Sequence, residues 1–263
     1  MKINPKLAVA VLASLILLSF NCNNANAQLG IRVDGGVVDF KAVQLSPFAT
    51  ENFYTPAAQI GIDYDFYIKG KFYITPGLTW SYRPAKITAS SFFDAESMNP
   101  NTYVSWFEWT HEHFLNLPVH FKWNFEICPE KFSIFIFCGP VFSLGLVSRS
   151  VINSRISLQG YSINIDGKYD YYTGTNDLKF RSDILSQEDE EILKKAVDDS
   201  YLRHARFQMR FDAGVGFRFA NRYDIVLGSD FDINNRLVGN AGSNSTLQSS
   251  YYYIGFRYRF WEW

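Results

Sequence analysis

The segment Tyr251–Phe260, with the sequence YYYIGFRYRF, decides the fold. Side chains of a strand alternate between its two faces, so this segment has one aromatic and aliphatic face and one cationic face. The first face carries Tyr252, Ile254, Phe256, Tyr258 and Phe260, and the second carries Tyr253, Gly255, Arg257 and Arg259. A soluble β-protein would bury the first face, whereas a transmembrane barrel turns it towards lipid and keeps the arginines in its lumen.

The N-terminus has the parts of a secretory signal peptide. Lys2 and Lys6 precede an apolar run over residues 7–20, and Ala25-Asn26-Ala27 supplies small residues for cleavage. We expect cleavage after Ala27, so that residues 1–27 are the signal peptide and 28–263 form one barrel domain. No later stretch approaches the ~18 to 20 apolar residues of a spanning helix. Any membrane crossing must therefore use strands closed into a barrel.

Composition narrows the function classes. The net charge of −1 gives no sign of a nucleic-acid partner, whereas 24 Phe and 16 Tyr suit a membrane interface. An oxidising compartment would permit a disulfide between Cys128 and Cys138. However, Cys128 lies at a predicted turn and Cys138 several residues along the next strand, too far for a bridge. We therefore expect two free thiols.

Eight alternating segments follow the signal peptide. They cover Leu29–Val38, Ala57–Ile68, Phe72–Ile87, Phe114–Phe125, Phe132–Val147, Arg206–Phe219, Tyr223–Ile233 and Tyr251–Phe260. The connections after the first, third, fifth and seventh segments are long (39–56, 88–113, 148–205 and 236–249), and the others are tight. This pattern predicts an all-β, eight-stranded antiparallel up-and-down transmembrane barrel with both termini at the short-turn, periplasmic end. Gly139-Pro140 predicts a bend or a bulge in the fifth strand.

The third long connection, 148–205, has structure of its own. Apolar residues recur at helical spacing over 187–202, Ser186 can cap this helix, and four acidic residues suit its N-terminal end. The aromatic and aliphatic residues between Tyr161 and Tyr172 could extend the strands beyond the membrane as a hairpin.

Charges of both signs lie on the predicted inner face of neighbouring strands. The predicted lumenal network is Arg32, Asp34, Asp63, Asp65, His120, Lys122, Arg210, Asp212, Arg218, Asp224, Asp230, Asp232, Arg257 and Arg259. An eight-stranded barrel has room inside only for side chains, so we expect a plugged lumen rather than a diffusion pore. The alternative, a secreted binding barrel with an apolar interior, would carry outward charges along all its strands and little aromatic clustering.

Three motifs give the mature chain a resemblance to a known family. They are Phe114–Phe125 (FLNLPVHFKWNF), Phe137–Pro140 (FCGP) and Gly255–Phe260 (GFRYRF). They resemble the fourth, fifth and closing strands of the outer-membrane protein β-barrel domain family of Bacteroidota, which includes PorT-like proteins of the type IX secretion apparatus and small porin-family barrels. The resemblance implies a barrel in the cell outer membrane but says little of activity. The tail Trp261-Glu262-Trp263 and the long third loop depart from the family pattern.

His111-Glu112-His113 is the one cluster with a catalytic or metal-binding pattern. His111 and His113 lie on one side of a strand and could share a metal, and either Glu112 or Asp94 could orient one ring for general-base work. No third ligand is evident, and exposed polar residues near a strand end are the simpler interpretation. Neither a Gly-x-Ser-x-Gly motif nor a phosphate loop occurs. We therefore expect that the protein binds no cofactor and is not an enzyme.

The sequence favours a structural or interaction protein, accessory to a secretion or cell-surface complex. A narrow channel or small-ligand transporter is the first alternative, and an enzyme at the barrel rim is the second. The expected partners are outer-membrane lipid, the barrel assembly machinery and proteins at the extracellular loops, with no nucleic acid. Tyr258 and Phe260 are the terminal aromatics that we expect the assembly machinery to recognise.

Overall fold

The computed structural model describes residues 27–43, 49–52, 54–95, 98–158, 161–182, 186–200, 203–238 and 246–262. In these ranges the strands and the helix are β1 (Ala27–Val43), β2 (Ala49–Asn52), β3 (Thr55–Lys69), β4 (Phe72–Tyr82), β5 (Ala85–Ala95), β6 (Met98–Cys128), β7 (Phe132–Leu158), β8 (Tyr161–Asp170), β9 (Lys179–Ser182), α1 (Gln187–Ser200), β10 (Arg203–His204), β11 (Phe207–Phe219), β12 (Tyr223–Asp232), β13 (Leu237–Val238) and β14 (Thr246–Glu262). No helix within these ranges is long and apolar enough to cross a membrane. The predicted signal peptide lies outside the described residues except for Ala27.

Eight antiparallel stretches close into a barrel. The order around the ring is β1, β3, β4 with its continuation β5, β6, β7, β11, β12 and β14, and β14 pairs back onto β1. In the closing pair Arg32 lies opposite Arg257, and Val33 lies opposite Phe256. Closure pairs both edges of every strand in the ring, which removes the free edges of an open sheet. The predicted up-and-down antiparallel barrel is confirmed.

The barrel is apolar outside and charged inside. In β14, Ile254 is 58% exposed on the outer face, whereas Arg257 is 0% exposed in the lumen. The same alternation runs along β12, where Ile225 and Leu227 are exposed and Asp224 is buried. This polarity is that of a membrane barrel and the reverse of a secreted binding barrel.

Two strands continue far beyond the apolar belt, which is the lipid-facing band of exposed apolar side chains around the barrel. A tilted strand spans a bilayer with ~9 to 11 residues, a length that β12 matches with 10 residues. By contrast, β6 has 31 residues and β7 has 27, and their pairing continues from Cys128 opposite Phe132 to Thr102 opposite Leu158. The long-loop end therefore carries a wall of sheet that stands clear of the belt.

The second long connection is a strand for most of its length. β5 pairs with β6 from Ala85 opposite Thr110 to Ala95 opposite Met98, where a loop over 88–113 was expected. Aromatic residues such as Trp106 and Trp109 favour the pleated backbone, which explains the longer strand. The third segment is divided at Pro84, because proline has no N–H to give to the ladder.

The third connection contains the elements that the sequence predicts. β8 pairs with the upper part of β7, from Asp170 opposite Arg149 to Tyr161 opposite Leu158, and thus forms the expected hairpin. α1 begins and ends close to the predicted limits. Its first turn is capped reciprocally, because Asp189 N–H donates to Ser186 Oγ (3.2 Å) and Ser186 Oγ donates to Asp189 Oδ2 (2.6 Å). The bonds that the Asp189 carboxylate accepts, from Ser186 Oγ and from the Ser186 backbone N–H (3.1 Å), lower the pKa of Asp189.

The Gly139-Pro140 pair does not produce a bulge. The pairing of β7 with β11 passes through Asp212 opposite Gly139 and Phe211 opposite Pro140 without a register shift. Gly139 is required for another reason, since a Cβ at this position would overlap the carbonyl oxygen of Val119 on β6. Cys128 and Cys138 are both free thiols, as predicted.

Gly36 tests how tightly the barrel closes. A Cβ on Gly36 would overlap the carbonyl oxygen of Tyr252 across the closing pair, whereas a Cβ on Gly35 would meet nothing within 4 Å. We expect Gly36→Ala to lower the free energy of unfolding by about 1 to 3 kcal/mol, as overpacking does, and Gly35→Ala to leave it nearly unchanged. Urea titration read by heat-modifiable gel migration measures both. Equal midpoints for the two variants would contradict this packing.

Candidate functional site in the lumen and at its mouth

All the residues of the predicted lumenal network are buried inside the barrel. Among the described residues, the buried cations are Arg32, Arg83, Lys122, Arg210, Arg218, Arg236, Arg257 and Arg259. The buried carboxylates are Asp34, Asp63, Asp65, Glu108, Glu112, Asp212, Asp224, Asp230 and Asp232. Eight cations and nine carboxylates nearly cancel, so the lumen is filled by charge pairs and not lined by one sign of charge.

Shared carboxylates join five strands at the short-turn end. Asp65 accepts hydrogen bonds from Lys122 Nζ (2.7 and 2.9 Å) and from Arg218 Nη2 (3.0 Å). Arg259 Nη1 also lies 2.7 Å from Asp65 Oδ2. Asp224 accepts from Arg218 Nε (2.8 Å) and from Arg259 Nε (3.0 Å). Each carboxylate thus bridges cations from different strands across the barrel.

Asp212 organises the middle of the lumen. It accepts one bifurcated hydrogen bond from the Tyr253 hydroxyl, which lies 2.9 Å from Oδ1 and 3.0 Å from Oδ2. His120 Nε2 lies 3.0 Å from Asp212 Oδ2, and Arg32 Nη2 lies 3.9 Å from the same oxygen. Arg32 also forms an ion pair with Asp34 on its own strand. His120, a member of the predicted lumenal network, thus lies against a lumenal carboxylate.

Aromatic rings fill the remaining space against glycines. A Cβ on Gly216 would overlap the ring of Phe135, and a Cβ on Gly228 would overlap the ring of Tyr253. Phe135 and Phe137 point inward from β7, which explains why that strand is apolar on both faces. Lys122 Nζ and the Arg218 guanidinium lie over the Phe135 ring at 4.7 and 5.5 Å from its centroid.

Arg83 and Asp230 form the next layer towards the long-loop end. Arg83 donates from Nη1 and Nη2 to the two Asp230 oxygens, at 2.9 and 2.5 Å, in a bidentate pair. Arg210 Nη1 donates to Asp230 Oδ2 (3.4 Å), and Arg210 Nη2 donates to Asn116 Oδ1 (2.6 Å). The Asp230 carboxylate thus holds one cation from the break between β4 and β5 and one from β11.

Glu112 closes the mouth of the barrel and corrects the sequence interpretation of His111-Glu112-His113. Alternation turns Glu112 into the lumen, away from the two histidines beside it. There it pairs with Arg236 and lies 3.2 Å from His204 Nδ1. More residues separate Glu112 from the short turn between β6 and β7 than the ~9 to 11 residues that span a membrane, so Glu112 lies outside the spanning part of β6. Burial opposes its ionisation, but Arg236 and His204 outweigh this and hold the pKa of Glu112 at about 2.

His204 attaches the third long loop to this mouth. Its ring stacks on Tyr171 with centroids 4.0 Å apart, and its backbone N–H donates to the Tyr171 carbonyl (3.1 Å). Tyr171 in turn donates from its N–H to the Ser148 carbonyl (2.9 Å) and from its hydroxyl to Glu108. The pairing of β10 with β13 joins His204 to Leu237 of the fourth loop. Two loops therefore cover the lumen.

Ser148, His204 and Glu112 contain the residue types of a hydrolase but not the geometry. Ser148 Oγ lies 3.0 Å from His204 Nδ1, and Glu112 Oε1 lies 3.2 Å from the same nitrogen. A catalytic relay requires the serine on one ring nitrogen and the carboxylate on the other. Ser148 is also 0% exposed, so this arrangement holds a loop in place rather than activating a nucleophile.

His111 and His113 lie on the outer face of β6. The Tyr82 hydroxyl lies 2.7 Å from His111 Nδ1, and the His113 ring stacks on Trp80 with centroids 5.4 Å apart. Within the described part of the chain, no three His, Cys, Asp or Glu side chains come together to hold a metal ion. Among the described residues, His111 and His113 therefore have aromatic neighbours but no third metal ligand.

Arg83, Glu108, Glu112 and Arg236 are lumenal residues missing from the predicted network. Arg83 continues the polar face of the third segment, and alternation alone would have included it. Glu112 obeys the same alternation once β6 is extended upward. Arg236 lies four residues after the end of β12, outside any alternating segment, so nothing local indicates its inward position.

Comparison with known proteins gives only distant structural likenesses. No family model and no curated protein matches the sequence. Neisserial surface protein A is 8% identical, with 89% of this chain and 99% of that chain covered and a TM-score of 0.36. Ail of Yersinia pestis, in complex with the heparin analogue sucrose octasulfate, is 8% identical, with 90% of this chain and 99% of that chain covered and a TM-score of 0.39. An outer membrane channel from Pseudomonas putida F1 is 9% identical, with 90% of this chain and 96% of that chain covered and a TM-score of 0.26.

The class of protein therefore rests on the chain's own strand pairing and polarity. It is a small eight-stranded barrel of the outer-membrane type with a charge-filled lumen.

Asp224→Asn tests the shared-carboxylate network. The variant leaves Arg218 and Arg259 short of a counter-charge in the lumen, so we expect a loss of about 3 to 5 kcal/mol in the free energy of unfolding. Arg149→Gln breaks a pair whose arginine side chain is 70% exposed, and it should cost less than ~1 kcal/mol. Urea titration of both variants, read by gel migration, checks this. A small loss for Asp224→Asn would contradict the network.

Glu112 should make closure of the mouth depend on pH. Its folded pKa of about 2 lies below its ordinary value of 4.5, so its contribution is complete above pH 4.5 and is lost as the pH falls towards 2. We expect the amides of Tyr171 and His204 to lose hydrogen-exchange protection over this range while β11 and β12 keep theirs. Glu112→Gln should remove the difference between pH 7 and pH 3. Unchanged protection of both amides at pH 3 in the unsubstituted protein would contradict this role.

Proposed function

We propose that this protein is a small barrel of the cell outer membrane that passes no solute and acts as a structural or interaction protein. Side chains plug its lumen, and the sheet that extends beyond the apolar belt is its interaction surface. The observation that carries the proposal is the closed lumen, in which charges are paired across the barrel from the short-turn end up to Glu112.

The extended sheet suits recognition because it has a core of its own. We call this extended sheet the platform. Its core consists of six buried residues on β7, β8, β9 and the connection between β8 and β9: Ile152, Ile165, Tyr169, Tyr171, Leu178 and Phe180. Burial of such side chains contributes stability that does not depend on lipid. Rigid support of this kind is what exposed loops need in order to bind with little loss of conformational entropy.

The finer predictions from the sequence belong to the same proposal. We propose that residues 1–27 direct export, that the assembly machinery recognises Phe260, which is exposed on the outer face beside Tyr258, and that the platform carries an accessory role in a secretion or cell-surface complex. The PorT-like resemblance favours the secretion role. We propose no cofactor, no nucleic-acid partner and no catalysis.

A narrow channel or small-ligand transporter is the second candidate, and one observation favours it. Arg257 Nε lies 3.3 Å from Asp63 Oδ2, but among the described residues none forms a hydrogen bond with the Arg257 nitrogens or the Asp63 carboxylate oxygens. Water could reach polar groups of this kind and form part of a path through the middle of the lumen.

Conductance decides between these two candidates. The purified mature barrel in planar bilayers should give no unitary current at any voltage, because paired side chains fill the space that eight strands leave. A large open porin inserted under the same conditions is the positive control. Reproducible current steps from this protein would contradict the plug and favour the channel.

Site-specific photocrosslinking tests the interaction role. A photoreactive phenylalanine analogue at Tyr161, at the tip of the platform, should capture a protein in native outer membranes. The same analogue at Phe121, on the lipid-facing wall and of similar exposure (56% against 54%), should not capture that protein. The matched exposure separates location from accessibility. The same adducts from both positions, or none from Tyr161, would count against the platform.

A further inference from the structure

The outer wall just above the apolar belt carries a cluster of polar and cationic side chains that lies outside the lumenal plug. We call it the imidazole patch: Tyr82, Lys86, His111, His113 and Arg149. We propose that this patch binds the phosphate of a lipid headgroup in the outer leaflet. The proposal rests on the membrane location proposed above and assigns a specific lipid site to the wall.

The depth of the patch identifies what faces it. Leu115 and Leu144 are exposed, apolar and paired with each other on the outer face directly below it. Trp80 and Tyr82 then mark the level where amphipathic rings lie at a membrane interface. His113 lies opposite Tyr82, and His111 is one outward position higher. Side chains at this level meet headgroups and not acyl chains.

Pairing across three strands brings the cationic groups within reach of one phosphate. His111 lies opposite Arg149, and Lys86 lies opposite Trp109, the next outward residue of β6. Directly opposite residues have Cβ atoms ~4.5 to 5.5 Å apart, and diagonal neighbours are ~7 to 8 Å apart. The imidazole of His111 and the guanidinium of Arg149 can therefore reach the oxygens of a single anion. Lys86, whose Nζ lies over the Phe107 ring at 5.7 Å from its centroid, adds positive charge beside them.

The tyrosine prepares His111 for this role. The Tyr82 hydroxyl lies 2.7 Å from His111 Nδ1, and the Tyr82 and His113 rings are 5.1 Å apart. When the hydroxyl donates to Nδ1, the neutral ring carries its proton on Nε2. His111 then remains a donor to an anion even when it is uncharged, so the patch does not depend on protonation alone.

Arg149 is available to a ligand at little cost. Its Nε donates to Asp170 (3.2 Å), but its side chain is largely exposed, and a pair of this kind contributes little. Asp170 also accepts the backbone N–H groups of Tyr172 (3.0 Å) and Thr173 (3.1 Å). The carboxylate therefore keeps hydrogen-bond partners when Arg149 turns towards a phosphate.

Native mass spectrometry of the full mature protein in detergent tests the site. The probes are bisphosphorylated lipid A and the same lipid without its phosphates. We expect the phosphorylated lipid to be retained about tenfold more strongly, and His111→Gln/Arg149→Gln to abolish the difference. Arg155→Gln/Arg181→Gln, which removes two exposed arginines of the platform sheet, is the matched control and should retain it. Equal retention of the two lipids by the unsubstituted protein would overturn the proposal.

Two further arms separate the alternatives. Millimolar inorganic phosphate should not displace lipid A, and displacement would show that the patch takes free phosphate instead. Stoichiometric zinc uptake that depends on His111 and His113 would also overturn the lipid assignment. The His111→Gln/Arg149→Gln variant should still migrate as a folded barrel and fractionate with outer membranes. Loss of the lipid preference by this folded variant supports the patch, and an unchanged preference refutes it. Absence of the unsubstituted protein from that fraction would instead refute the membrane location.

Discussion

A carboxylate shared by cations from different strands is the interaction on which this structure depends. Lipid offers no partner to a charged side chain, so every charge at belt level must turn inward, and every inward charge needs a counter-charge. Asp65 and Asp224 meet this condition for Lys122, Arg218 and Arg259. Paired buried charges add little stability compared with apolar packing, but removing one partner is costly. The network therefore fixes the register and closure of the barrel more than it adds to its total stability.

The same rule continues above the belt and gives the molecule its form. Glu112 takes Arg236 and His204 as its partners, and His204 brings Tyr171 and the third loop over the mouth. The plug and the platform are thus one continuous structure. Because β6 and β7 supply both, a surface that binds a partner would be connected rigidly to the membrane wall.

Alternation explains why most of this could be predicted from the sequence. Outer and inner positions alternate along β1, β3 and β14, so the inward positions of Arg32, Asp63 and Arg257 follow directly. The pattern does not indicate where a strand stops, since strand-forming aromatics such as Trp106 occur both in the belt and above it. The interpretation of Glu112 as a residue that orients a neighbouring histidine is wrong, because adjacent residues of a strand face opposite sides. His204 and Arg236 meet Glu112 only through tertiary structure.

The most direct test of the closed, inside-out barrel is a spin-label scan of Tyr223–Ile233 in a cysteine-free background, with Cys128 and Cys138 replaced by serine. The account predicts that oxygen accessibility alternates with a period of two, high at Ile225 and Leu227 and low at Val226. A water-soluble nickel complex should reach neither face at belt level. Access of the nickel complex to the inward positions would contradict the closed lumen, and loss of the alternation would contradict the barrel.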